Sequence, residues 1–165
     1  MNPPVVTIVG LSDTGKTTLI TGLIQELGKS GFKVGTMKHH LGRFEMDKPG
    51  KDTWLHRQAG AAGTIISSPS RIGMVRDADR DLSPQELAGL LPDMDIILAE
   101  GYKNSTSYKI EVFRPERAPR PICLEDPMLL AVVTEADVPW KGARFQPGDL
   151  EGIAAFLIER FIRPS

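Results

Sequence analysis

The stretch Gly10-Leu-Ser-Asp-Thr-Gly15-Lys16-Thr17 constrains this chain more than any other. It fits G-x-x-x-x-G-K-[ST] in full. Its glycines allow a tight turn whose backbone N–H groups point inward, a shape that binds phosphate. Before it runs PVVTIV (4–9), short and rich in β-branched residues, as a strand buried on both faces should be. After it, Ile20, Leu23, Ile24 and Leu27 recur at helical spacing and predict a helix from Lys16 to about Gly28. A buried strand, a phosphate loop and a helix in that order specify the opening unit of an α/β nucleotide-binding domain.

The rest of the chain continues the alternation. FKVGTMK (32–38) reads as a second strand, followed by a long polar loop over 39–52 marked by Gly and Pro. Loops of that length are commonly functional. Asp52 is placed to cap a helix over 53–60. GTIISS (63–68) and RIGMVRD (71–77) flank the turn SPS and predict a hairpin. Ser83-Pro-Gln-Glu86 has the capping-box pattern of a helix start. MDIILAEG (94–101) and MLLAVVT (128–134) read as buried strands. SYKIEVFR (107–114) alternates and reads as a partly exposed strand. A last helix spans about 149–162. The expected fold is α/β: a P-loop, three-layer domain over 1–165, with a mostly parallel sheet, helices on both faces and an exposed hairpin.

The chemistry follows from that placement. Gly10, Leu11, Ser12, Asp13, Thr14, Gly15, Lys16, Thr17 and Thr18 form the candidate nucleotide-binding loop. Lys16 brings a charge to the β/γ-phosphates, and the Thr17 hydroxyl joins Mg²⁺. The helix N-terminus adds its own positive end. Asp13 is an acid in an anion cradle, so its side chain is expected to point away from the phosphates. Glu100 ends a buried strand, where a P-loop site needs a carboxylate to orient Mg²⁺. Asp47 and Asp52 lie in the long loop and are further metal candidates; Asp47 is the candidate switch acid. Lys16, Glu100 and Asp47 are the candidate catalytic residues. Asp95 sits at the other end of the Glu100 strand and reads as a cap or surface acid.

Guanine-binding folds follow a late strand with [NT]-K-x-D. Here Thr134 and Asp137 stand at its first and fourth positions, with Glu135 in place of Lys. Asp137 is therefore the candidate base reader. The incomplete motif leaves ATP and GTP both open. His39, His40 and His56 lack the clustered spacing of a metal site, and a single cysteine, Cys123, excludes a disulfide framework. A net charge of −1 gives no basic field for nucleic acid. No signal peptide or membrane-spanning stretch is evident, so a cytoplasmic protein is expected.

Taken together, GLSDTGKTTLI, MKHH with MDKPGKD, RQAGA, IILAEGYK and YKIEVFR resemble the MobB family of molybdopterin-guanine dinucleotide biosynthesis adaptor proteins. The resemblance covers residues 5 to 114. It implies a P-loop protein that binds GTP with Mg²⁺ and hydrolyses it slowly, forms a homodimer, and assists a MobA-type guanylyltransferase that acts on molybdopterin. Molybdopterin itself is then a possible ligand. The family's loop roles fall on Gly10, Gly15, Lys16 and Thr17, and its strand-end acid on Glu100. Two other readings compete. A small-molecule kinase would use the same cradle with a lid drawn from Arg71, Arg76 or Arg80. A non-catalytic binding module would dimerise through strands 71–77 and 107–114.

Overall fold

The structure, a computed structural model, describes residues 2–163. These form two compact units, one of residues 40–82 and one of the remaining described chain. The larger unit holds a six-stranded, wholly parallel sheet. Its strands are β1 (Val5–Val9), β2 (Val34–Lys38), β5 (Ile96–Glu100), β6 (Tyr108–Val112), β7 (Leu129–Val133) and β8 (Ala143–Phe145), in the order β2-β5-β1-β6-β7-β8. β1 is central, with Val5 opposite Ile97 on one side and Ile8 opposite Ile110 on the other. All strand ends that carry candidate residues therefore meet at one edge.

One sheet face is covered by α1 (Lys16–Lys29) and α4 (Leu150–Leu157). Leu19, Leu23 and Leu27 of α1 and Ile153 and Leu157 of α4 pack with Val6, Ile8, Leu98, Ile110 and Val133 of the strands. Asp149 caps α4 by accepting from the Gly152 N–H at 3.0 Å, and the helix continues as a π-turn over Ile158–Ile162. Among the described residues the opposite face carries one helix, the short α3 (Pro84–Ala88), whose Ser83/Glu86 capping box forms as the sequence predicts. Elsewhere on that face coil takes the place of a helix: Phe113, Cys123 and Val138 pack on Val9, Leu129 and Val132.

That coil overturns one expectation. Residues 107–114 are not a partly exposed strand. β6 lies inside the sheet between β1 and β7, and Lys109 and Glu111 are 1% exposed. Their charges are satisfied by the coil above them. Lys109 pairs with Asp126 at 2.9 Å. The Glu111 carboxylate accepts from the Ile122 and Cys123 N–H groups at 2.6 and 2.9 Å. The alternation signals a face buried under polar partners rather than under water, because buried charges require such partners. This stretch is thus no free edge for a second copy. β8 carried no sequence signal, since three residues are too few to show a period.

The smaller unit contains α2 (Asp52–Gln58) and an antiparallel hairpin, β3 (Gly63–Ser68) and β4 (Arg71–Arg76). Asp52 does not cap α2. It is the first helical residue, and Lys51 occupies the cap position in an extended conformation without a side-chain bond. Lys48 and Gly50 already turn the chain one residue earlier, through the Lys51 N–H to Lys48 carbonyl bond and a Gly50 φ of 79°. Arg57 ties α2 to the end of the hairpin through Asp77 at 2.9 Å.

Candidate functional site

The loop after β1 alternates its backbone sense to wrap inward. Gly10, Asp13 and Gly15 have φ of 140°, 59° and 99°. At Gly10 a side chain has no room, because a Cβ would stand 2.4 Å from the Val112 carbonyl oxygen. Thr14 is buried and its hydroxyl closes the turn on the Leu11 carbonyl at 3.0 Å. Gly15 caps α1 with no side-chain bond, and the first turn holds no acid. The N–H groups of that turn therefore keep their affinity for an anion.

The structure brings Thr17 and Glu100 together. The Thr17 hydroxyl donates to Glu100 Oε2 at 3.0 Å. The other carboxylate oxygen lies 3.6 Å from Lys38 Nζ at the end of β2. A hydroxyl and a carboxylate at this distance match the donor set of a P-loop Mg²⁺ site. Lys16 Nζ donates to the Leu11 carbonyl at 2.7 Å and so lies across the loop.

Asp13 points outward. Its side chain is 75% exposed and lies 3.9 Å from Arg117. Arg114 sits beside it, donating from Nε to the Thr14 carbonyl at 3.3 Å. The Arg117 N–H to Arg114 carbonyl bond at 3.0 Å closes a turn that brings both arginines to the loop. The sequence reading missed these arginines and Lys38. Their signal is positional: each follows or ends a strand at the loop edge, which becomes visible only when the strand order is known.

Thr134 and Asp137 stand after β7, two strands from the loop. Thr134 is buried and accepts from the Ala136 N–H at 3.1 Å. Asp137 is fully exposed and pairs with Arg144 at 2.9 Å. Asp95 receives the Lys33 N–H at 2.7 Å and serves as a structural clamp at the far edge. His39 stacks on Tyr102, centroids 4.5 Å apart. Among the described residues no three His, Cys, Asp or Glu are grouped to hold a metal. Asp47 and Asp52 belong to the smaller unit. There Asp47 accepts from the Thr53 hydroxyl at 3.1 Å, and its other oxygen is buried without a partner among the described residues.

Comparison with known proteins decides the family. The model of "MobB: Molybdopterin guanine dinucleotide synthesis protein B" matches residues 5–135. The chain belongs to the MobB family. It is 35% identical over 161 residues to the molybdopterin-guanine dinucleotide biosynthesis adapter protein of Escherichia coli, covering 94% of this chain and 92% of that one. It is 33% identical over 133 residues to the adapter protein of that name from Haemophilus influenzae, covering 79% and 74%. A crystal structure of molybdopterin-guanine biosynthesis protein B superposes with a TM-score of 0.73 at 28% identity, covering 94% of this chain and 98% of that one. The MobB match contains the loop, Glu100, Arg114 and Arg117, and it stops before Asp137.

Proposed function

We propose that this protein is an adapter in molybdopterin guanine dinucleotide biosynthesis that binds GTP with Mg²⁺. The family assignment carries the first half of that statement. The pairing of Thr17 with Glu100 beside an uncapped helix N-terminus carries the second. The loop amides and Lys16 hold the phosphates. Thr17 and Glu100 hold Mg²⁺, which when bound neutralises charge on the β- and γ-phosphates. Asp47 and Asp52 are further candidates for the metal, and Asp47 is the acid proposed to answer to nucleotide state. Asp137 reads the guanine. Glu100 is engaged by Thr17 and Lys38 and is poorly placed to act as a base, which supports slow hydrolysis. As an adapter the protein serves a guanylyltransferase partner acting on molybdopterin.

We further propose that it acts as a homodimer. Ile65, Ile72 and Met74 share one face of the hairpin and are 66%, 78% and 40% exposed. An apolar ribbon of two strands needs a cover, and a second copy supplies it.

The deciding experiment is a thermal-shift comparison of GTP, GDP, ATP and GMP with Mg²⁺, in wild type and Lys16→Ala. Ligands that bind the folded state raise its melting temperature. GTP should stabilise the wild type most and the variant little. Greater stabilisation by ATP would remove the guanine assignment, and no response to any triphosphate would remove the nucleotide site.

A further inference from the structure

We propose that Arg114 is the nucleoside contact of this site, with its guanidinium plane laid against the purine ring. The inference rests on the GTP-binding reading above and adds to it which flank of the loop receives the base.

The strand order gives the loop two unlike flanks. On one side of β1 stand β5 and β2, whose ends supply Glu100 and Lys38. Thr17, the metal-side hydroxyl, bonds there. On the other side stand β6 and β7. Thr14 turns its carbonyl there, to Arg114. Thr17 and Glu100 would hold a metal on the β5 flank, where it would neutralise charge on the terminal phosphates. The terminal phosphate then belongs to the Glu100 flank, and the nucleoside leaves over β6 and β7.

Arg114 is the cation of this flank that bonds to the loop, whereas Arg117 and Arg144 face the carboxylates of Asp13 and Asp137. It is half-buried, and among the described residues it has no carboxylate partner. Its Nη2 lies 3.9 Å from where a Cβ on Gly15 would stand, so the plane hugs the loop backbone. Nε is used by Thr14, which ties the plane to the loop, and the residue is only half-buried. Guanidinium planes stack on aromatic rings and keep their charge throughout. The turn after β7 makes the assignment sharper. It places Glu135 where a guanine-reading turn carries Lys, so β7 brings no cation to the base. The neighbouring strand supplies one instead. Arg117 is already directed at Asp13 and offsets that acid's charge beside the loop.

The test separates the nucleoside from its phosphates. Calorimetric titration would measure Mg²⁺-GTP, Mg²⁺-GDP and inorganic tripolyphosphate against wild type, Arg114→Ala, Arg114→Gln and Arg114→Lys. The Ala and Gln variants should bind both nucleotides at least about tenfold more weakly, in the range of a lost cation–π contact, and tripolyphosphate within about twofold of wild type. The Lys variant should recover only part of the loss, because it restores charge without a plane. Equal weakening of tripolyphosphate would make Arg114 a phosphate ligand and overturn the proposal. Unchanged GTP affinity in the Gln variant would also overturn it, and that variant keeps a donor for the Thr14 carbonyl should the Ala variant fold poorly. A wild type that binds neither GTP nor tripolyphosphate would remove the nucleotide reading itself. A wild type that binds tripolyphosphate and GTP equally would leave that reading standing and sink this one.

Discussion

The Thr17 hydroxyl on the first turn of α1 donates to Glu100 Oε2 at the end of β5, 3.0 Å away across 83 residues of sequence. This bond joins the phosphate loop to the strand beside it, and each partner is fixed by its own element. Glu100→Ala should therefore remove the Mg²⁺-dependent part of GTP affinity, about 10–100-fold, the scale typical of a lost metal-site partner. Binding in the presence of a chelator should change little. Titrations with and without Mg²⁺ check this, and an unchanged Mg²⁺ dependence would remove Glu100 from the site.

Gly10 is required by two independent facts. Its φ of 140° is closed to side chains, and a Cβ would meet the Val112 carbonyl oxygen at 2.4 Å. The carbonyl is backbone and not the end of a flexible side chain, so backbone must shift. Gly10→Ala should cost about 2–3 kcal/mol of stability, in the range for strained backbone. Urea unfolding measures it. A loss confined to nucleotide affinity, with the urea midpoint unchanged, would show that the loop yields at no cost to the fold.

Much of this arrangement was legible in the chain itself, for reasons that differ by residue. Lys16 and Thr17 sit in a motif whose geometry is local, so eight consecutive residues determine it. Glu100 was legible because a buried apolar run ends in one acid. Arg114 was not, because its partner Thr14 is 100 residues away and only the order of β1 and β6 brings them together. Lys109 and Glu111 misled for a physical reason. Charge at alternate positions ordinarily means water, and here it means the backbone of residues 122–123 and the carboxylate of Asp126. No local pattern distinguishes those two environments.

Burial pushes the Glu111 carboxyl above its ordinary 4.5, against the pull of the Ile122 and Cys123 amides. A carboxyl whose pKa is raised on folding binds its proton more tightly in the folded chain. Its contribution to stability is complete below 4.5 and is lost as pH rises through the folded value. The stability of wild type relative to Glu111→Gln should therefore fall as pH climbs from 4.5. Urea unfolding at stepped pH reads the difference directly. A flat or rising difference would mean that the two amide bonds outweigh burial.

The exposed hairpin face makes a prediction about assembly. Ile72 is 78% exposed and lies opposite Ser67, with Ile65 and Met74 on the same face. A charge there should oppose burial against a second copy without disturbing a core, since the side chain packs on little within its own chain. Ile72→Glu should shift sedimentation from dimer to monomer while the melting temperature of the sheet unit stays close to wild type. A wild-type monomer at micromolar concentration would remove the homodimer.

Cys123 tests the coil that covers the second sheet face. Its side chain packs with Phe113 and Leu129 and is 6% exposed. Burial, with the Glu111 and Asp126 charges added to it, pushes the thiol pKa up to about 11. Only the thiolate attacks a disulfide or an alkylating reagent. At pH 8 the native thiol should thus react with a disulfide reagent at least about a hundredfold more slowly than the same protein in denaturant, through the combined loss of thiolate and access. Glu111→Ala removes the acceptor that holds the Ile122 and Cys123 amides, so the coil should open more often and the native rate should rise. Labelling followed by absorbance measures both rates. A native thiol that reacts as fast as the denatured one would mean that the coil over 114–128 does not stay closed on the sheet.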